Sequence, residues 1–247
     1  MNNVTKWVQA NKLILNVDKT KFMKFQCNNT RPERLTPLYI NGRTVTKVQF
    51  TKFLGVIIDE KLTWKQHINS VCLSVSRLCG IMYKVRHQLS KEAMICIYYT
   101  LAYPHLVYCV ALWGNSYNLY LKTVIRAQKR LVRIMDYKSK YEHTRPIFKS
   151  LNLLNFNLLY EFNLVLTVFK HLKCIESQTI FSRFEHIHNT RGNNVNIPCP
   201  QVRTTFVEKS ILCNGPRIWN SLPSSLKSLE SIKSFKSNSK KFFFSKL

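Results

Sequence analysis

Residues 51–64 read TKFLGVIIDEKLTW, an apolar run closing on Asp59-Glu60, the one adjacent pair of acidic residues in the chain. Read as a single strand, TKFLGVIID is apolar on both faces and therefore buried. Neighbours on a strand point to opposite faces, so Asp59 and Glu60 cannot both ligate one ion. They are expected instead as solvated residues that open a turn into a helix at Trp64. This stretch divides the chain, because the hydrophobic period is about two before it and close to four after it.

Upstream, Asn3 to Leu15 reads as a helix, and Thr20–Gln26 (TKFMKFQ) alternates as a strand. A polar loop, CNNTRPERLTP, leads to LYINGRTVTKV, where Asn41-Gly42 predicts a type I′ hairpin. Downstream, Ile68, Val71, Cys72, Val75, Leu78, Cys79 and Met82 recur at three- and four-residue spacing, one stripe of a long helix. Ser90 is the expected N-cap of the next helix, followed by a helix over Asn118–Asp136 and a helical pair opened by Thr144-Arg145-Pro146. From Lys173 to Glu208 the composition turns polar and aperiodic, as in a linker. The chain then reads as a turn, GPRIWNSLP, and a Ser/Lys-rich helix. The expected fold is α+β and predominantly α-helical: a small antiparallel strand unit at 1–62, a helical bundle at 63–172, a polar linker at 173–214 and a C-terminal turn and helix at 215–247.

Charge narrows the function. Thirty-eight Lys and Arg face 12 Asp and Glu, a formal net charge of +26. Such a surplus repels itself unless a polyanion is present, which favours nucleic acid over an anionic membrane surface. Ala93–Trp113 has no Asp, Glu, Lys or Arg and the length to approach a bilayer's thickness. It also contains Pro104, His105 and four tyrosines, so a buried helix broken near Pro104 is expected rather than a membrane span. MNNVTKWVQANK has no apolar h-region, so no secretory signal is expected, and the eight cysteines include no C-x-x-C, as expected of a reduced, intracellular protein.

Two-metal chemistry needs several converging carboxylates, and here the 12 are scattered with no Asp-Asp pair. G-x-S-x-G, H-E-x-x-H and Gly-rich phosphate loops are absent, and His186-x-His188 sits in the polar linker. The candidate surface is a basic one. Arg126, Lys129, Arg130 and Arg133 project along one helical ridge, spaced to meet a row of phosphates. Phe242–Phe244 beside Lys240 and Lys241 is the candidate for base stacking, with packing against the body as the competing reading.

Taken in order, NKLILNVDKTKFMKF, the hairpin, TKFLGVIIDEKLTWKQHI, ALWGN, AQKRLVRIM and GPRIWNSLP resemble the downstream part of reverse transcriptases from non-LTR retrotransposons of the jockey and CR1 kind. The resemblance implies that Phe53, Leu54 and Gly55 match the primer grip, the palm strand and turn that holds the primer terminus. By the same resemblance Lys19 matches a palm lysine proposed to assist nucleotide chemistry, and the helices from Trp64 to Asp136 match the thumb, which grips an RNA or DNA template–primer duplex. The expectation is a fragment or truncated copy of an RNA-directed DNA polymerase, binding nucleic acid but inactive alone. It would need no cofactor itself, with Mg2+ and the upstream polymerase domains belonging to the intact enzyme. The alternative is a stand-alone basic RNA-binding protein.

Overall fold

The computed structural model describes residues 2–25, 37–40, 42–173 and 196–247. They form two compact units, Met1–His67 and Ile68–Leu247.

In the first unit, α1 (Asn2–Ala10) ends well before Leu15. Lys12 turns left-handed at φ 54°, and the N–H groups of Lys12 and Leu13 reach back to Gln9 and Val8 at 2.9 Å each. This closing pattern terminates the helix before its apolar period runs out. β1 (Lys21–Phe22) pairs with β4 (Thr46–Lys47) in parallel, an arrangement absent from the expected all-antiparallel unit. Between them β2 (Tyr39–Ile40) and β3 (Arg43–Thr44) form an antiparallel hairpin. Gly42 supplies its φ of 75°; Asn41, like the loop at 26–36, lies outside the described residues.

TKFLGVIID is not one buried strand. It folds back on itself as β5 (Phe50–Phe53) and β6 (Val56–Asp59), antiparallel with Phe53 opposite Val56. Leu54 and Gly55 take φ values of 45° and 87°. Two successive left-handed residues are what a two-residue type I′ turn needs, and its twist matches that of the strands. β6 carries the buried Val56 and Asp59, whereas β5 is largely exposed.

The second unit begins within α2 (Lys65–Val85), where Ile68, Val71, Val75, Leu78, Cys79 and Met82 are all buried. Ser90 caps α3 (Lys91–Ile97), its hydroxyl accepting from the Ala93 N–H at 3.3 Å. The helical path then widens into a π-helical turn at Tyr98–Ala102, with the Tyr103 N–H bonded to the Tyr98 carbonyl, and continues as α4 (Tyr103–Val107). Pro104 offers no N–H and its ring crowds the carbonyl four residues back. The wider turn absorbs this, so the break falls not at Pro104 but at Cys109, left-handed at φ 52°, ahead of α5 (Val110–Trp113). Nor is the segment buried all round: Tyr98, Ala102, Leu106, Val110 and Trp113 face the core, while Leu101 is 53% exposed. No helix among the described residues is long and apolar enough to cross a membrane.

α6 (Asn118–Met135) and α7 (Thr144–Ser150) lead to α8 (Phe156–Leu172), the centre of this unit. α4, α5, α6, α10 (Ile211–Asn220) and α12 (Ile232–Ser245) all pack on α8. Phe169 and Phe235 stack at 4.1 Å, and Trp113 stacks on Phe156 at 5.4 Å. A Cβ on Gly114 would come within 2.4 Å of the Tyr160 ring, so only glycine lets the end of α5 approach α8 this closely. Short helices α9 (Thr205–Glu208) and α11 (Ser224–Lys227) flank α10. GPRIWNSLP, expected as a turn, lies mostly within α10, with Pro216 inside the helix. Burial of Cys213, Pro216 and Trp219 in the core outweighs the one hydrogen bond that proline removes. The described residues thus form a predominantly α-helical α+β protein.

Candidate nucleic-acid interface

At 100° per residue, Lys122, Arg126, Lys129, Arg130 and Arg133 fall within about 100° of arc on α6. Leu121, Val124, Gln128, Leu131, Val132 and Met135 fill the buried side. The amphipathic pattern explains the helix, because the apolar stripe pins α6 to the core and leaves the cations facing water. Lys122, Arg126, Lys129 and Arg130 are exposed. Arg133 is half-buried and its Nε–H donates to the Glu142 carbonyl at 2.8 Å, so it is more fixed than its neighbours. Beneath the ridge, Cys79 points its thiol at the Ala127 carbonyl, 3.7 Å away. Burial pushes that thiol up to about 11 against the pull of the Arg130 charge, which keeps it protonated and unreactive.

In the first unit, Phe53 and Leu54 are 61% and 76% exposed at the tip of the β5–β6 hairpin, beside Gly55. An apolar pair held out on a tight turn is unusual, and Leu54 holds a left-handed backbone that costs a non-glycine residue about 1–2 kcal/mol. Lys19 is exposed in a turn headed by Asn16, whose Oδ1 accepts the Lys19 N–H at 3.0 Å. The structure therefore brings Phe53, Leu54 and Gly55 together on one turn and Arg126, Lys129, Arg130 and Arg133 together on one helix.

Asp59 departs from the sequence expectation. Rather than being solvated, it is 6% exposed. Its Oδ2 accepts from the Trp64 N–H at 2.8 Å, and Oδ1 from the N–H groups of Lys61 and Thr63 at 3.2 and 3.0 Å and from the Thr63 hydroxyl at 3.2 Å. Asp59, the last residue of β6, thus gathers the donors of the turn into α2, in which Leu62 and Trp64 are left-handed. Glu60 instead pairs with Lys47 at 3.8 Å. Other carboxylates also have local partners: Asp18 with Arg43, Asp136 with Lys91 and Glu208 with Arg217. Among the described residues no three His, Cys, Asp or Glu side chains gather as metal ligands. This donor set does not fit a two-metal centre. His186-x-His188 lies outside the described residues.

Phe243 is fully buried, edge-on to Phe162 at 6.3 Å, while Phe242 and Phe244 are half-buried. The phenylalanine run is mainly packing. Lys246 lies over the Phe242 and Phe243 rings at 4.6 and 5.1 Å, and in a separate cleft Tyr99 and Tyr103 lie next to Lys236 and Lys240. Sequence reasoning missed them because the partners lie more than a hundred positions apart and the tyrosines sit in a segment read as buried.

Three relatives place these surfaces in context. The RNA-directed DNA polymerase from mobile element jockey of Drosophila funebris is 29% identical over 44% of this chain, and its Drosophila melanogaster counterpart 28% over 45%. The probable RNA-directed DNA polymerase from transposon X-element of Drosophila melanogaster is 22% identical over 53%. The chain resembles mobile-element RNA-directed DNA polymerases. The matched regions span 12%, 13% and 14% of those relatives' lengths. No family model and no solved structure matches the chain.

Proposed function

We propose that this chain is part of an RNA-directed DNA polymerase of a non-LTR retrotransposon and that it contributes grip on the template–primer duplex rather than chemistry. The observation that carries the reading is the basic face of α6. From Lys122 to Arg133 it extends about 16 Å at 1.5 Å per residue, comparable to roughly five base-pair steps of duplex axis at about 3.4 Å each. Contacts of this kind hold a duplex through its backbone and read no sequence. The similarity to RNA-directed DNA polymerases supports the duplex as the ligand, and the net charge of +26 supports a polyanion. Within the same reading Phe53, Leu54 and Gly55 present an apolar hairpin tip to the primer terminus, and Lys19 is an accessory cation. Asp18, Asp59, Glu60, Asp136 and Glu208 are engaged locally, and in this reading the two-metal chemistry with Mg2+ belongs to other polymerase domains.

The test is binding and primer extension by the purified chain. An RNA–DNA hybrid should bind without sequence preference, with Kd of about 10⁻⁴ to 10⁻⁶ M at physiological salt, and no primer should be extended with dNTPs and magnesium. Absence of binding even at low salt would refute the grip, and extension would refute the division of labour.

A further inference from the structure

A cleft of about 270 Å³ opens between the π-helical turn, the start of α8 and α12. Leu159 and Phe162, both buried, line it together with Tyr99, Tyr103, Lys236 and Lys240. Among the described residues no acidic side chain lines it. Tyr99 and Tyr103, four residues apart across the π-helical turn, form the cleft's aromatic wall, their rings 5.4 Å apart and tilted by 52°. Tyr98 braces them from below, edge-on to Tyr99 at 5.5 Å, its hydroxyl held by the Gln128 Nε2–H at 3.0 Å. Lys240 places its ammonium 5.8 Å from the centre of the Tyr99 ring. Burial pushes the Tyr103 hydroxyl above its ordinary range, so it stays neutral and able to donate.

A bland account exists: tyrosines half-packed against a bundle, with a lysine laid over one ring. Pro104 accounts for the loss of regular hydrogen bonding here, and such π-helical turns recur at functional sites. The bland account leaves open why two ammonium groups flank an apolar slot that no carboxylate lines among the described residues. The volume of about 270 Å³ falls just below that of ligand pockets, about 300–1,000 Å³, which suits one planar ring rather than a peptide helix. Aromatic faces stack any base, and amines beside them take the flanking phosphates.

We propose that this cleft takes one base of a single-stranded nucleic-acid segment, stacked on Tyr99 and Tyr103 with its flanking phosphates on Lys236 and Lys240. Gln128, which holds Tyr98, belongs to the buried side of α6, opposite the basic ridge. Duplex on the ridge and single strand in the cleft therefore use separate surfaces. The inference extends the proposed nucleic-acid role but has its own ligand, so the two can fail independently.

The experiment compares a labelled oligouridylate with an RNA–DNA hybrid, by fluorescence anisotropy, on the full chain and on Tyr99→Ala, Tyr99→Phe and Lys240→Gln. Tyr99→Ala should weaken oligouridylate binding roughly 5- to 150-fold, the range for loss of one base stack. Tyr99→Phe should restore it, Lys240→Gln should weaken it and reduce its salt sensitivity, and hybrid affinity should hold throughout. Wild-type oligouridylate affinity in Tyr99→Ala would overturn the proposal, as would an equal loss for the hybrid. Displacement of oligouridylate by polyglutamate as readily as by oligothymidylate would assign the cleft to acidic peptides instead. As a second readout, 5-bromouridine in the oligonucleotide should photocrosslink to the peptide carrying Tyr99 and Tyr103; crosslinks confined to other peptides would also overturn it. Tyr99-dependent oligouridylate binding without any hybrid binding would uphold this proposal and sink the duplex role.

Discussion

In Met1–His67 the buried hydrophobic side chains among the described residues are Ile40, Val45 and Val56, whereas Ile68–Leu247 closes around Trp113, Phe148, Phe156, Phe169, Trp219 and Phe235. The first unit also leaves Trp7, Ile14, Phe50 and Phe53 exposed. What defines its shape is local backbone chemistry: the left-handed close of α1, glycine turns, and one carboxylate gathering four donors after β6. Burial of large side chains defines the second unit. A region built from turns can hold an odd geometry such as the Leu54-Gly55 tip, and a region built from a core can present a rigid charged face.

The sharpest way to break this contrast is to remove a core ring. Phe169→Ala deletes a stack with Phe235 at the centre of the second unit and should cost about 3–5 kcal/mol, read by chemical denaturation. Amide exchange in the first unit should not change, and equal acceleration there would show one cooperative structure instead of two. Next in size, Asp59→Ala strips acceptors from Lys61, Thr63 and Trp64 and should cost about 2 kcal/mol locally. Faster exchange of the Thr63 and Trp64 amides would report it.

A smaller effect of opposite sign is expected at the tip. Leu54→Asn places the preferred Asn-Gly pair in the type I′ turn and should stabilise the first unit by up to about 1 kcal/mol, while weakening hybrid binding if the apolar tip touches the primer. Stability and affinity rising together would argue that Leu54 has no contact role.

The smallest effect concerns acid. His67 Nδ1 accepts the Ile57 N–H at 3.4 Å, which requires an unprotonated nitrogen, and burial holds the imidazole below its ordinary value. The unfolded chain then binds the proton more readily than the folded one. The stability contributed by neutral His67 is complete above about pH 6.5 and is lost as pH falls toward the lowered folded value. His67→Asn should flatten that part of the stability profile, and an unchanged profile would remove His67 from the account.

The helical half was legible in the sequence because its period survives in one dimension: the stripe from Ile68 to Met82, the Ser90 cap and the two faces of α6 are all read directly from spacing. TKFLGVIID misled because an uninterrupted apolar run hides a turn when leucine occupies the position that asparagine usually takes. GPRIWNSLP misled in the other direction, since proline and glycine signal a turn until Trp219 is buried against α8 and overrides them. Residues 93–113 kept their period but concealed the π-helical turn, and with it the meeting of Tyr99 and Lys240 across the fold. The four cations of α6 were legible as a ridge; the tether of Arg133 to the Glu142 carbonyl, a contact across a loop, was not.

The central claim is that α6 meets a nucleic-acid backbone, and salt dependence addresses it most directly. Hybrid affinity should be measured across a salt series for the wild-type chain and for a variant carrying Arg126→Gln, Lys129→Gln and Arg130→Gln. The account predicts a linear fall of log affinity with log salt, with a slope shallower by about one for each lost phosphate contact, roughly three in the variant. Identical slopes for the two proteins would place the duplex elsewhere on this chain and contradict the account.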